Sequence, residues 1–431
     1  VNAAIDEPVI ISAPPPRRHA APPSRRRVAP ASEGEPAPRR GRSASVGVLV
    51  GVAVLLALLV AGMLAPGIPV LGIAGASASV FLAWLVVLAA VVTVLAAVML
   101  MRRGSVARVA ATVLGLAALG GVVFVGWQQL SVAREHAVAL DVGALFAVAG
   151  PVAEPGTSTS YGEHEGGSLE LSMWEPVAGG ATPAPVVVLV HAGGSVSQDW
   201  LQPTIATHAA WFAEQGYLAV SLEYPLSADE HHQWDVVEPQ VACALTWVEQ
   251  HAGEHGGDPG RVFLVGDSVG GNVALQVAYR AAAGELESSC GGNVPAVDAV
   301  STLYPVASPA DFYANPDPML GRIARDMAIA YTGGTPEGVP ERYTEITPAE
   351  HLTATAPATL MVTGAADHLV PPSGASGLAE ALGAVDVPHE LVLVPAGEHG
   401  FDRAPSGVGT QVWRELTLQW FEQHGRAPAA P

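Results

Sequence analysis

Ser268 stands in "GDSVGG", with a glycine two positions before it and two positions after it. A serine hydroxyl is a weak nucleophile and attacks a carbonyl only beside a base. Candidate partners are few. "TGAADHLVPP" carries Asp367 and His368, and "PAGEHGFD" carries His399 and Asp402. Asp267, Asp386 and Asp402 compete with Asp367 for the role of an orienting acid, and His368 competes with His399 for that of a base. A fourth stretch, "HAGGS", supplies two close glycines, Gly193 and Gly194. Their backbone N–H groups, with that of Val269, suit the stabilisation of an oxyanion. If these loops meet, the chemistry is acyl transfer through a serine ester.

Each of the four stretches follows a short apolar run, as a buried strand requires. The runs are Val186–His191, Tyr217–Tyr224, Val262–Gly266, Ala296–Tyr304, Ala358–Gly364 and Glu390–Pro395, with an alternating edge strand at Leu169–Trp174. Helical patterns fall between most of them, at Pro203–Gln215, Asp235–Gly253, Val269–Ala283, Ser373–Leu382 and Val408–His424. Strand-helix alternation predicts a mostly parallel, doubly wound sheet covered on both faces. In such sheets the loops at the carboxyl ends of strands carry the chemistry. Gly266 and Gly270, without side chains, let the chain turn sharply at Ser268, and a helix starting at Val269 aims its positive end at the reaction centre.

With these motifs in view, the segment from Ser168 to Gly425 resembles the α/β-hydrolase fold, and most closely its carboxylesterase and hormone-sensitive-lipase-like branch. "GDSVGGN" is similar to the family's G-x-S-x-G nucleophile elbow, "HAGG" to its HGGG oxyanion motif, and the order Ser, Asp, His agrees. The resemblance implies Ser268 as nucleophile, Asp367 as orienting acid and His399 as base, with no metal or cofactor. One departure is Ala192, where the family has glycine; a positive φ there would be strained.

Between Tyr304 and Ala358 the chain is too long for a bare connection and holds a predicted helix, Leu320–Tyr331. Insertions of this kind act as lids or binding loops. Met319, Leu320 and Ile323, with Trp200 in "SVSQDW", are the expected pocket residues. The clusters "EHE" (Glu163–Glu165) and "EHH" (Glu230–His232) have metal-ligand types but not zinc spacing, and read as solvated loops.

The first part of the chain is different. Residues 1–43 are rich in Ala, Pro and Arg and read as a disordered tail. Val46–Ala65, Ala78–Met101 and Val109–Trp127 are each long and apolar enough to cross a bilayer. We read residues 44–128 as a three-helix anchor, 129–167 as linker and edge segment, and 168–425 as the catalytic domain on a short tether. Arginines precede the first span and lie between the second and third, which predicts a cytoplasmic N-terminus and an extracytoplasmic catalytic domain. A cleaved signal peptide ending at Ala76–Ala78 is the rival, set against two further spans. In an oxidising compartment the two cysteines, Cys243 and Cys290, are a possible disulfide.

The formal net charge is −20, and there is no Lys. The segment after Arg108 carries nine Arg against thirty-six acids. So acidic a surface argues against nucleic-acid binding. The leading expectation is a membrane-anchored hydrolase of small-molecule or lipid carboxylic esters. A peptidase or polysaccharide deacetylase on the same fold, or a non-catalytic binding module that kept it, are the alternatives.

Overall fold

A computed structural model of the chain describes residues 40–147, 154–177, 183–193, 203–227 and 231–426. The disordered-tail expectation for residues 1–43 falls almost wholly outside them. The described helices are α1 (Arg40–Leu64), α2 (Leu71–Ala78), α3 (Leu82–Arg102), α4 (Val106–Glu135), α5 (Pro203–Glu214), α6 (Val237–His251), α7 (Val269–Ala283), α8 (Pro309–Tyr313), α9 (Gly321–Thr332), α10 (Pro340–Glu345), α11 (Ser373–Ala384) and α12 (Val408–His424). The strands are β1 (Thr157–His164), β2 (Gly167–Trp174), β3 (Ala184–Val190), β4 (Leu218–Leu222), β5 (Gly257–Asp267), β6 (Val297–Leu303), β7 (Ala358–Gly364) and β8 (His389–Val394).

The strands form one eight-stranded sheet in the order β1-β2-β4-β3-β5-β6-β7-β8. β1 and β2 join antiparallel, and every pairing from β4 to β8 is parallel. A parallel sheet must be covered on both faces, and the apolar runs supply both. Val186, Val188 and Val190 of β3 pack with α6, α7 and α11, whereas Val187 and Leu189 of the same strand pack with α5 and α12. This is the two-residue alternation of a strand acting on two cores at once.

One boundary of the sheet differs from the sequence reading. The sheet begins at Thr157, within what reads as linker, because "TSTSYGEH" alternates but buries only one side chain, Tyr161. That strand and the turn at Glu165 and Gly166, both at positive φ, account for the "EHE" cluster.

The apolar segment expected to act as an anchor also departs from a simple tether. Among the described residues, three helical stretches are long and apolar enough to cross a membrane: Ser45–Leu64, Leu71–Arg102 and Val106–Glu135. Leu55, Val94 and Leu116 are exposed on them, as lipid-facing side chains would be. Residues expected as a loop between the first two stretches coil into α2. A Cβ at Gly75 would stand 2.4 Å from the Met63 nitrogen, so a close approach to α1 allows this short helix to pack. α4 continues past Trp127 to Glu135, and Ala133 joins the core beneath α5 and α12. Gln129 Nε2 donates to the Pro395 carbonyl at 2.9 Å, and Ser79 Oγ to that of Ala396 at 2.7 Å. The apolar helices therefore pack directly on the sheet domain.

Cys243 on α6 and Cys290 are joined by a disulfide with Cα atoms 5.4 Å apart.

Candidate active site

β5 ends at Asp267 and α7 starts at Val269, which leaves Ser268 alone at the turn. Its φ of 55° and ψ of −117° are a conformation that costs a non-glycine residue about 1–3 kcal/mol. Surrounding bonds hold it there. Its N–H donates to Leu303 O at 2.9 Å, and its carbonyl accepts from Val306 N at 3.0 Å. The flanking glycines make the turn possible. A Cβ at Gly266 would stand 2.4 Å from the Gly270 carbonyl oxygen, and one at Gly270 would stand 2.2 Å from those of Val190 and His191. Helix and strands approach more closely than any side chain would permit.

His399 follows β8 and Asp367 follows β7, neighbouring strands that bring the two loops together. His399 Nε2 lies 3.0 Å from Ser268 Oγ, and its Nδ1 lies 2.9 Å from Asp367 Oδ2. Asp367 Oδ1 accepts from the N–H groups of Leu369 and Val370 at 3.0 and 2.8 Å, so its orientation is fixed. With Nδ1 donating to that carboxylate, Nε2 is the lone-pair nitrogen facing the serine. Burial alone would lower the pKa of His399; Asp367, with Asp267 and Glu398, outweighs it and moves it up.

The competing acids are engaged elsewhere. Asp402 accepts from Tyr304 Oη at 2.5 Å and bonds His208 Nε2 at 3.0 Å. Asp386 lies in the left-handed turn after α11. The Asp267 carboxyl accepts from the Ala192 N–H, tying the oxyanion stretch to the end of β5. Burial pushes its pKa up to about 7, with Asp402 adding and His399 opposing. His368 turns away from Ser268 to Glu398, with Nδ1 2.5 Å from Glu398 Oε2.

Gly193 and Val269 line one open cavity. Ala192 is not among the described residues at positive φ, so the substitution brings no left-handed strain. Gly194 and Trp200 lie outside the described residues, as does the rest of "SVSQDW". The cavity wall is largely apolar, with Leu226, Phe312, Met327, Ala328 and Tyr331 among its residues. The expected helix forms over it as α9, but through a different face. Met319 and Ile323 are exposed, at 47% and 42%, and Leu320 is absent from the cavity wall. Met327, Ala328 and Tyr331, one to two turns further along, face the cavity instead. The buried stripe of α9 is Gly321, Ala324, Ala328 and Thr332, small residues at helical spacing.

The sequence reading also missed Glu398, whose carboxylate accepts from the His399 N–H at 3.0 Å, and Tyr304, whose ring lies 4.5 Å from that of His399. Nothing local distinguishes either. Glu165 meets His164 and His231 at 3.9 and 3.6 Å, yet no group of three His, Cys, Asp or Glu among the described residues is arranged to hold a metal.

Comparison with known proteins agrees with this architecture. A family model described as BD-FAE matches residues 172–382. Esterase LipC of Mycobacterium tuberculosis is 25% identical over 238 residues, 54% of this chain and 57% of its own length. Probable carboxylic ester hydrolase LipM of the same organism is 26% identical over 56% of this chain and 55% of its own length. Human hormone-sensitive lipase is 28% identical over 40% of this chain and 16% of its own length. The chain thus spans at most 57% of the length of these curated relatives. Among solved structures, an acetyl ester-xyloside bifunctional hydrolase from Caldicellulosiruptor lactoaceticus aligns with a TM-score of 0.51 at 20% identity, over 64% of this chain and 98% of that one. Esterase LipW from Mycobacterium marinum aligns at 0.50 and 23%, over 70% and 86%.

The chain has the α/β-hydrolase fold. The residues matched by the family model, 172–382, hold Ser268 and strands β3 to β7.

Proposed function

We propose that the protein is a serine hydrolase of carboxylic esters, with Ser268 as nucleophile, His399 as base and Asp367 as the acid that orients it. The observation that carries this reading is the continuous line from Ser268 Oγ through His399 to Asp367 Oδ2, with steps of 3.0 and 2.9 Å, next to an apolar cavity lined by Val269, the residue after Ser268. Ser268 Oγ attacks the ester carbonyl while its proton passes to His399 Nε2. The carbonyl oxygen becomes an oxyanion facing the N–H groups of Gly193 and Val269, with Gly194 the expected third donor. The C–O bond to the alcohol then breaks, and His399 gives its proton to the leaving oxygen. Water, deprotonated by the same nitrogen, attacks the acyl-enzyme and releases the acid. The steps balance with this chain and one water, whose proton His399 returns to Ser268 Oγ as the acyl–oxygen bond breaks.

The acyl group occupies the cavity beneath α9, where Leu226, Phe312 and Met327 favour an alkyl or aryl chain over a charged one. Three apolar helices hold the domain at a membrane, with the arginine-rich end of the first span on the cytoplasmic side and the hydrolase on the other. A disulfide between Cys243 and Cys290 suits that compartment.

One experiment tests both parts. Intact cells carrying the chain should hydrolyse a membrane-impermeant aryl ester, within a panel of increasing acyl length, and cells carrying Ser268→Ala should not. No Ser268-dependent turnover on any ester contradicts the hydrolase reading, and turnover that appears only after lysis reverses the orientation.

A further inference from the structure

The loop after the first span reaches the candidate base through two side chains that the mechanism above does not use. The Pro66 carbonyl, just beyond α1, accepts from His368 Nε2 at 2.9 Å. The other nitrogen of that ring, Nδ1, meets Glu398 Oε2 at 2.5 Å. The second Glu398 oxygen, Oε1, accepts from two backbone N–H groups, His368 at 2.8 Å and His399 at 3.0 Å. Pro66, His368, Glu398 and the His399 backbone therefore form one unbroken series. The His368 and Glu398 side chains are only 12% and 7% exposed.

The series is specific in its demands. A carbonyl oxygen only accepts, so His368 Nε2 must carry a proton, and a second proton lies between Nδ1 and Glu398. Nothing else in the hydrogen-bond pattern occupies either nitrogen. His368 follows Asp367 and Glu398 precedes His399, so both members of the candidate acid–base pair are flanked by the same tie. Asn315 adds a second hold, its Nδ2 donating to the carbonyls of His368 and Leu369 at 2.9 and 2.8 Å.

We infer that Glu398 and His368 are positioning residues that make the geometry of His399 depend on the loop between the first two spans being docked. The anchor then holds the hydrolase at a membrane and also completes its base. This rests on the reading of Ser268 and His399 given above. Misplacing a reacting group by a fraction of an ångström lowers a rate without changing which substrate binds, so the tie should act on kcat.

Gly72 gives access to the tie from the anchor side. A Cβ there would stand 1.8 Å from the Pro66 carbonyl oxygen and 3.0 Å from His368 Nε2, so Gly72→Ala breaks that contact without replacing any residue of the hydrolase. Glu398→Ala and His368→Ala break the tie from the other side. Glu398→Gln keeps the shape, because the amide oxygen accepts from both N–H groups and the NH2 donates to His368 Nδ1.

The test uses the full chain in bilayer nanodiscs and two readouts: kcat on an aryl ester, and the rate at which a fluorophosphonate probe labels Ser268. Glu398→Ala, His368→Ala and Gly72→Ala should each lower both by about tenfold at unchanged KM. The double variant Glu398→Ala/His368→Ala should be no worse than either single one, and Glu398→Gln should recover most of the loss. The acid limb of the pH profile discriminates further. The groups that raise His399 are Asp367, Asp267 and Glu398, so losing the Glu398 charge moves the limb to lower pH in Glu398→Ala and Glu398→Gln. Gly72→Ala leaves the limb in place while lowering kcat. A native chain that labels at Ser268, with labelling rate and kcat unchanged in the three tie-breaking variants, overturns the tie alone. So does an effect confined to KM. A native chain that neither turns over esters nor labels at Ser268 overturns the reading of the site itself.

Discussion

The two sides of Ser268 are built by opposite means. On the base side, Asp367, His368, Glu398 and His399 spend nearly every polar atom on a hydrogen bond between 2.5 and 3.0 Å. On the acyl side, Leu226, Phe312, Met327 and Tyr331 meet the cavity through apolar surface, covered by a short helix whose buried stripe is Gly, Ala and Thr. Directional bonds fix distances to a few tenths of an ångström, which proton transfer requires. Dispersion and burial tolerate changes of shape, and each methylene contributes about 0.8 kcal/mol. The chemistry should therefore be brittle and the substrate preference adjustable.

Substitution on the base side should have the largest effect. Asp367→Asn preserves size but presents an N–H where His399 Nδ1–H needs an acceptor, which favours the wrong tautomer. A fall in kcat of roughly 10³–10⁴-fold is expected from that cause, read by aryl ester hydrolysis. The acid limb should also shift to lower pH, because Asp367 is the main group raising His399. In the native protein His399 must be neutral to accept the serine proton. Activity is thus present above its raised pKa and lost as the pH falls through it. A retained kcat in Asp367→Asn would place the orienting acid elsewhere.

Acyl-side changes should be smaller and selective. Ala328→Leu on the inner face of α9 shortens the cavity. It should lower kcat/KM for the longest acyl chain accepted by about tenfold, the scale on which hydrophobic pockets discriminate, while acetyl esters stay within about twofold. Met319→Ala and Ile323→Ala, on the exposed side, should leave the chain-length profile unchanged. If the profile follows Met319 and Ile323 instead, the acyl group binds outside the cavity.

This difference also explains what the sequence makes legible. "GDSVGG", "ADHLVPP" and "GEHGFD" each follow an apolar strand, and a parallel sheet brings the ends of its neighbouring strands together without further information. Helix α9 is likewise visible, within one residue at each end. Its inner face is not, because Gly321, Ala324, Ala328 and Thr332 are small and the larger apolar residues Met319 and Ile323 draw attention to the outer side. β1 is obscured by Ser and Thr, since only Tyr161 among its residues is buried. The tie from Pro66 to Glu398 spans more than 300 positions and consists of one backbone carbonyl, a histidine and a glutamate. No local pattern marks such a contact. α2, composed of Leu, Gly, Ile, Ala and Ser, reads as a loop because its packing partner at Gly62 and Met63 belongs to another helix.

The central claim is that Ser268 carries the acyl group. It is tested most directly by quenching the full-length protein with acid during turnover of a slowly hydrolysed aryl ester and mapping the modified peptide by mass spectrometry. The account predicts one added acyl mass on Ser268, absent in Ser268→Ala and lost on incubation at neutral pH in the native protein. An acyl group on another residue, or turnover with no adduct and full activity in Ser268→Ala, would contradict it.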